Sequence, residues 1–408
     1  MSQKVYDCIV VGGGISGVTF AHYLKKEGKA VLVLEKNQNT GGQLQTGHLS
    51  AQPDFWYELG SHTCYNSYTS LLSIVKEIRR TDIIVPLGKF SYVLYASGKI
   101  KSIMSEVSKL SCLLHFPKYF FSDKAGKTTR EYFRPIVGAS NYDRLFTNAF
   151  KAVICQPADD YPAEIFLKKR DKREKEISRR FTFKGGLSSF INAVVESGDL
   201  EVNTLSEVID IKKEGDVFLL STANGQIFYA RNIAMAASPK VSSSLLKNIE
   251  PELAGLLSSI PIFASESLNI TIKKDKIELK EIAGIIPLSD DFLSAVSRDL
   301  IENGEYRSFT FHFEKGKKSE KEKLELICNV LNIQQSDIIE TSFIEHSLPA
   351  MRLEHLHMDE KVQAMRKNDR VYLLGNYYYG LSLEDCVNRS KNEFERFKRS
   401  EEHTSELQ

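Results

Sequence analysis

The stretch YDCIVVGGGISGVTFAHYLKKEGKAVLVLEK, residues 6–36, decides the fold. It begins with an uninterrupted apolar run, as a strand buried inside a parallel sheet requires. Gly12, Gly14 and Gly17 follow in the spacing G-x-G-x-x-G, and apolar residues then recur at helical spacing. A second apolar run stops at the acid Glu35. The order strand, glycine loop, helix, strand and acid predicts a dinucleotide-binding βαβ unit.

Each residue type in this unit has a physical role in holding a dinucleotide. The first glycine permits a tight turn, the second lets the backbone approach a pyrophosphate, and the third lets helix and strand pack closely. The N-terminus of the helix faces the phosphates, and the acid accepts hydrogen bonds from a ribose. The expected contacts with the dinucleotide are Gly12, Gly14, Ile15, Ser16, Gly17, Glu35 and Lys36.

Composition excludes several other classes of protein. The chain has 408 residues and a formal net charge of +1, which gives no case for nucleic acid as a partner. Its six cysteines form no C-x-x-C pair, so we expect neither a disulfide framework nor a metal site, and a reducing cytoplasm is favoured. No apolar run reaches the roughly 18–20 residues that a membrane span needs. The first strand starts so early that we expect no signal peptide ahead of it.

The last ten residues, RSEEHTSELQ (399–408), are set apart from the fold. They resemble the translation of a sequencing adapter, and their polar composition predicts no place in a core. We therefore treat residues 399–408 as a non-native tail, and expect that a few natural C-terminal residues are missing.

Two further stretches complete the pattern. NTGGQLQT (39–46) places Gly41 and Gly42 one short loop beyond the acid. Near the end of the chain, GNYYYGLSLEDC (375–386) follows the strand-like RVYLLG. Ser382 is a predicted helix N-cap, with acids in the first turn of the helix behind it.

Together these motifs resemble the flavin amine oxidase superfamily, and within it the protoporphyrinogen oxidases. The resemblance rests on VVGGGISG, LEK, the glycine pair and ELGSH at the front, and on LLGNYYYGLSLEDC at the back. It implies an α/β fold: an FAD-binding Rossmann-like domain of the glutathione-reductase type, a strand-rich substrate domain and a helical subdomain. The implied FAD domain is discontinuous, formed by residues 1–85, 185–240 and 345–398. Residues 86–184 would form the helical subdomain and residues 241–344 the substrate domain.

The resemblance also implies roles for residues outside the first unit. The second glycine loop would run beside the extended FAD, a strand pair would contact the adenine, and the helix after the tyrosines would point its N-terminus at the flavin. The residues implied are Gly41, Gly42, Gln43, Val208, Gly375, Asn376, Gly380, Leu381, Ser382 and Leu383. His62, Tyr377 and Tyr379 are the candidate catalytic residues, since the resemblance places them beside the flavin or the substrate.

This sequence departs from the family pattern at two positions. Gln43 stands where many amine-oxidase relatives carry arginine. Tyr92 falls near the place where some protoporphyrinogen oxidases carry an arginine for a substrate propionate, although Lys89, Lys99 or Lys101 would supply charge instead.

Three functions stay open at this point. The first is an FAD-dependent oxidoreductase that removes hydrides from a hydrophobic substrate, converting a porphyrinogen to a porphyrin, with oxygen or another molecule as electron acceptor. The second is a flavin amine oxidase or desaturase acting on a different substrate, and the third is a non-redox mutase scaffold. We expect a cytoplasmic protein, with peripheral contact to the inner face of a membrane left open and the oligomeric state undetermined.

Overall fold

A computed structural model describes residues 4–289 and 291–406. The strands are Val5–Val11 (β1), Val31–Leu34 (β2), Thr46–Leu49 (β3), Gln52–Glu58 (β4), Cys64–Tyr65 (β5), Ile84–Pro86 (β6), Tyr92–Ala96 (β7), Lys99–Ser102 (β8), Arg180–Phe183 (β9), Glu201–Asn203 (β10), Val208–Glu214 (β11), Val217–Thr222 (β12), Ile227–Met235 (β13), Ile262–Lys273 (β14), Gly284–Pro287 (β15), Ser294–Ser297 (β16), Tyr306–Glu314 (β17), Ile338–Pro349 (β18) and Val371–Leu373 (β19).

The α-helices are Ile15–Lys26 (α1), Thr69–Glu77 (α2), Lys109–His115 (α3), Thr129–Val137 (α4), Ala139–Asn141 (α5), Thr147–Ile154 (α6), Ser188–Ser197 (α7), Pro239–Leu246 (α8), Pro251–Ser258 (α9), Glu320–Leu331 (α10), Met358–Met365 (α11) and Leu383–Glu406 (α12). Among the helices that the structure describes, none combines the length and apolar character needed to cross a bilayer.

The first large sheet carries the glycine loop at the end of its central strand. Its order is β10-β2-β1-β13-β12-β11, and β19 also pairs with β13. The pairs that β1 makes with β2 and β13 are parallel, which explains why β1 is an uninterrupted apolar run: both of its faces are covered. Strand β19 returns from the far end of the chain and aligns parallel to β13, so the C-terminal motif lies at the same end of the sheet as the glycine loop.

The second large sheet has one apolar face and one polar face. Its order is β18-β14-β17-β16-β15-β7-β8. Along β14, Leu268 and Ile270 belong to an apolar cluster that includes Ile327 of α10, so this helix covers that face. The alternate residues Ser267 and Asn269 are also buried, but they point to the opposite face. That polar face lies over β4 and the turn that follows it, where the Thr310 hydroxyl donates to the Glu58 carbonyl at 2.7 Å.

Strands β7 and β8 form the strand-turn-strand entry that the resemblance implies for the start of the segment 86–184, and β7 pairs with β15 and so extends the second sheet. One local expectation needs correction. Residues 399–406 continue helix α12 instead of standing apart from the fold. Within this part, the hydroxyls of Ser400 and Tyr372 are 3.1 Å apart, and Glu401 forms an ion pair with Lys29. Helix propensity and these contacts prevail over the polar composition of the segment. Residues 407–408 lie outside the described part of the chain.

Candidate functional site

In the glycine loop between β1 and α1, the backbone lies closer to neighbouring backbone atoms than a residue with a side chain would allow. Gly12 has φ +110°, and a Cβ there would lie 2.8 Å from the carbonyl oxygen of Ala236. A Cβ at Gly17 would lie 2.0 Å from the Gly12 carbonyl oxygen, so only glycine lets the helix sit this close to the loop. Gly14 is the N-cap of α1 and supplies no side chain to its first turn, where Ile15 and Ser16 are buried. The backbone N–H groups at this helix start are thus left for a ligand.

The second glycine loop rests directly on the first. The Gly41 N–H donates to the Gly13 carbonyl at 2.9 Å, and Gly14 and Gly41 form an isolated parallel bridge. A Cβ at Gly42 would lie 3.0 Å from the Gly14 Cα. The structure therefore brings together the two loops that the sequence predicted to flank one extended dinucleotide.

Glu35, directly after β2, is held in place by backbone hydrogen bonds. Its side chain is buried, and its carboxylate accepts hydrogen bonds from the N–H groups of Gly13 at 2.7 Å and Asn37 at 2.8 Å. Its carbonyl accepts from the Ser206 N–H at 2.8 Å, two residues before Val208 at the start of β11. Lys36, by contrast, is exposed. Each carboxylate oxygen has a second lone pair, so Glu35 retains capacity to accept from a ribose hydroxyl.

The C-terminal motif forms a tight turn followed by a capped helix. Gly380 has φ +131°, and a Cβ there would lie 2.9 Å from an oxygen of the Asp385 carboxylate. Helix α12 begins at Leu383, and the Asp385 N–H donates to the Ser382 hydroxyl at 3.1 Å, which confirms Ser382 as the N-cap. Leu381, Gly375 and Asn376 are partly buried in the same turn.

Tyr377 and Tyr378 of this motif are buried in the core and Tyr379 is half-buried against it, which differs from their expected place beside the substrate. Tyr377 is 1% exposed, and Tyr378 lies under the guanidinium of Arg389, whose carbon is 3.6 Å from the ring centroid. The Tyr379 hydroxyl donates to the Asp359 carboxylate and accepts from Asn392. The rings of Tyr377 and Tyr378 belong to an apolar cluster that includes residues of the first sheet. Neither Tyr377 nor Tyr379 is among the described residues that line the cavity described next.

A cavity that is partly open to solvent lies between β4 and the second sheet. Its walls are mostly apolar or hydroxyl-bearing: Trp56, Tyr57, Glu58, His62, Leu87, Thr182, Val296, Ser297, Arg298, Leu300, Ile301, Ser308 and Thr310. His62, a sequence-predicted residue, is on this wall, with its Nε2 3.4 Å from the Tyr92 hydroxyl. Burial lowers the pKa of His62, so the ring is neutral at pH 7.

Glu58 is a cavity residue that sequence analysis did not single out. Its carboxyl accepts hydrogen bonds from the Leu187 N–H at 2.7 Å and the Thr46 hydroxyl at 2.8 Å. Burial raises the pKa of Glu58 to about 8, while these two hydrogen bonds act in the opposite direction. The motif ELGSH contained this acid, but nothing in its spacing indicated that it would face a cavity.

Gln43 connects the second glycine loop to the polar face of the second sheet. Its side-chain amide lies 2.9 Å from His346 Nδ1, and His346 Nε2 donates to the Leu59 carbonyl at 2.8 Å. His346 Nε2 is also 3.0 Å from the Ser267 hydroxyl, which in turn is 2.8 Å from His312 Nδ1. Burial lowers the pKa of His312 to about 3, so this chain of side chains is uncharged. It fixes the second glycine loop against the second sheet.

Comparison with known proteins identifies the family of this chain. The model for flavin-containing amine oxidoreductases matches residues 15–265, more than half of the chain. The chain belongs to this family. FAD is therefore its cofactor, and the two glycine loops, the free helix N-terminus and Glu35 fit the pyrophosphate and ribose of that molecule.

Members of the flavin amine oxidoreductase family are similar to the chain over different lengths. The pseudooxynicotine dehydrogenase of Pseudomonas sp. is 25% identical over 271 residues, covering 55% of this chain and 50% of that protein. The chain thus spans about half the length of this curated relative.

Two solved structures share the fold. A protein from Exiguobacterium sp. 255-15, provisionally assigned as a protoporphyrinogen oxidase, has a TM-score of 0.77 at 15% identity, with 98% of this chain and 100% of that one covered. Cyclohexylamine oxidase from Brevibacterium oxydans IH-35A has a TM-score of 0.75 at 15% identity, with the same shares covered. At these identities the likeness shows the fold alone.

Proposed function

We propose that this chain is an FAD-dependent oxidoreductase that removes a hydride from a hydrophobic substrate held in the cavity between β4 and the second sheet. The first substrate we propose is a porphyrinogen, converted to a porphyrin, with oxygen or another molecule as the final electron acceptor. The observation that carries the proposal is the position of the cavity beside the turn 59–62, next to the loops that fit FAD. Bound FAD supplies the hydride acceptor, so the protein needs no acid–base pair of its own.

The residues of the chain have defined tasks in this proposal. Gly12, Gly14, Gly41 and Gly42 hold the pyrophosphate, and Glu35 holds the ribose. Apolar walls such as Trp56 and Leu300 exclude water and orient the substrate. Neutral His62 donates or accepts a hydrogen bond at the cavity wall, which fixes the orientation of a polar substrate atom.

A second candidate is oxidation of an amine, because the pseudooxynicotine dehydrogenase and cyclohexylamine oxidase named above are similar proteins. Among the described residues that line the cavity there is no lysine, the residue type whose presence near the flavin would favour an amine oxidase. The cavity also lacks the row of basic residues that a sugar-nucleotide mutase would need; Arg298 is the one lysine or arginine on its described walls. The porphyrinogen therefore stays the first candidate.

Anaerobic reduction of the flavin tests the proposed function. The purified protein is mixed, without oxygen, with a porphyrinogen, with cyclohexylamine and with pseudooxynicotine, and the visible absorbance of the flavin is followed. Bleaching by the porphyrinogen supports the first candidate, and bleaching by an amine alone supports the second. A flavin that stays oxidised with all three substrates contradicts both candidates.

We also propose a cytoplasmic protein that docks on an anionic membrane surface through residues 103–121. This segment, the docking face, exposes large apolar side chains, among them Leu113 at 74%, Phe120 at 72% and Phe121 at 91%. Residues 99–128 carry six lysines and two acids, a net charge of +4 in a chain whose total is +1. Apolar rings surrounded by lysines match lipid tails beneath anionic headgroups.

Vesicle sedimentation tests the docking face. The protein should sediment with vesicles containing phosphatidylglycerol and much less with pure phosphatidylcholine, and the double variant F120S/F121S should lose this binding. Ile227, exposed by 54% on β13, provides the control variant I227S, which should bind as the parent protein does. A parent protein that stays in the supernatant with both kinds of vesicle would show that the face does not bind lipid.

A further inference from the structure

One arginine faces the cavity in a fixed orientation. Arg298 follows directly after β16 and lines the cavity wall. Its Nε donates to the Trp56 carbonyl at 2.7 Å and its Nη1 donates to the Ile301 carbonyl at 2.8 Å. The guanidinium carbon is 4.3 Å from the ring centroid of Phe55 and 5.0 Å from that of Trp56. Two carbonyls and two aromatic rings thus hold the guanidinium in place.

The acid next to Arg298 in sequence does not neutralise it. Asp299 accepts two hydrogen bonds from Arg307, from Nε at 2.9 Å and from Nη2 at 2.5 Å, and a third from the Ile282 N–H at 3.0 Å. Within residues 4–289 and 291–406, no carboxylate oxygen lies within 4.0 Å of an Arg298 nitrogen, whereas the neighbouring Arg307 has such a partner.

This arrangement leaves a half-buried cation with no carboxylate in contact among the described residues; Asp299 acts on it only over a longer distance. Burial lowers the pKa of Arg298 to about 10, so the guanidinium still carries its charge at pH 7. Taking a charge out of water without a partner costs free energy, and an anion that enters the cavity recovers part of it. Nη2 makes no hydrogen bond within the described chain, and a planar guanidinium suits the two oxygens of a carboxylate.

We propose that Arg298 binds a carboxylate of the substrate, and that the cavity therefore selects hydrophobic acids over free amines. This inference rests on the proposed function, in which the cavity holds the substrate. A protonated amine would bring a second positive charge to the guanidinium, whereas a carboxylate supplies its missing partner. The apolar walls next to it accommodate the rest of the molecule.

Isothermal titration calorimetry of the flavin-loaded protein at pH 8 tests this site with three small probes. Benzoate, benzamide and benzylamine share one ring and differ in charge. Benzoate should bind about 10- to 100-fold more tightly than benzamide, the usual effect of a hydrogen bond to a charged group, and benzylamine should bind most weakly. The heat of binding is independent of electron transfer, so a failure of this site and a failure of the proposed oxidoreductase activity are told apart.

Three variants make the result specific. R298M should abolish the preference for benzoate over benzamide. R298K should keep part of the preference, because lysine retains the charge but lacks the paired N–H donors of the guanidinium. Lys184 is exposed and does not line the cavity, so K184M removes a nearby charge and should keep the full preference. Flavin content and melting temperature of each variant show that it is folded. Equal binding of benzoate and benzamide to the parent protein, or an unchanged preference in R298M, overturns the proposal.

Discussion

Glu384→Gln should destabilise the protein, although Glu384 occupies the first turn of a helix, where an acid is usually exposed. The side chain is 2% exposed. Its carboxylate accepts hydrogen bonds from the N–H groups of Ser70 at 2.9 Å and Leu71 at 3.0 Å. These are first-turn donors of α2, so Glu384 joins the start of α12 to the start of α2. From sequence alone, Glu384 is expected to be solvent-exposed and its replacement by glutamine harmless; the structure corrects that expectation.

The size of the effect follows from counting acceptors. Glutamine keeps one oxygen and places an NH₂ group where the second oxygen was, so one buried N–H loses its partner, at a cost of about 1–3 kcal/mol. Burial raises the pKa of Glu384, so the charge itself carries a desolvation cost that glutamine relieves. We therefore expect the lower half of the range, about 1–2 kcal/mol, or a melting temperature lower by about 1–3 °C.

Glu58→Gln is the matched control. Its carboxyl is also buried, but only one of its two partners, the Leu187 N–H, is an obligate donor. The other partner, the Thr46 hydroxyl, accepts as readily as it donates, so glutamine satisfies both. Thermal unfolding followed by circular dichroism at pH 7 should therefore show a loss of stability for Glu384→Gln and no loss for Glu58→Gln. Equal melting temperatures for Glu384→Gln and the parent protein would refute this reasoning.

Four further outcomes are expected. Burial raises the pKa of Glu58 to about 8, so the folded protein holds a proton that the unfolded chain releases near pH 4.5. The free energy of unfolding should therefore fall as the pH rises from about 4.5 to 8. Glu58→Gln should flatten that pH dependence in melting curves. Glu35→Ala should weaken FAD binding by about 1–3 kcal/mol in a titration of the apoprotein, and unchanged affinity would exclude a role for this acid. Gly380→Val should lower flavin content, since its Cβ would lie 2.9 Å from Asp385 and 3.2 Å from the Ile165 carbonyl; full occupancy would show that the turn tolerates a side chain. Removing residues 399–408 should lower the free energy of unfolding by only about 1–2 kcal/mol, the value of one ion pair and one hydroxyl contact, and should leave the flavin content unchanged. A larger loss of stability would mean that the end of α12 is part of the core.

Local patterns predicted the strand, the glycine loops and the helix start at the nucleotide end of the chain. The apolar run of β1, the spacing of the glycines and the start of α12 at Leu383 are all set by backbone requirements within a few residues. Such requirements can be recognised in the sequence, because only certain residue types meet them. The cofactor prediction follows from them and agrees with the family to which the chain belongs.

The cavity half could not be predicted in the same way, because long-range packing forms it. Arg298 comes from the second sheet and contacts the carbonyl of Trp56, far away in the chain. Nothing near Arg298 in sequence shows which strand it will face. The tyrosines illustrate the opposite error: an aromatic run next to a functional turn suggested a substrate contact, but burial of their rings dominates. Likewise, Glu384 is buried because α2 happens to start opposite it.

The visible spectrum of the purified protein tests the central claim, that the two glycine loops and Glu35 form an FAD site. The account predicts a yellow protein with about one FAD per chain, released by heat or acid because the bond is noncovalent. A colourless preparation that added FAD does not reconstitute would contradict it.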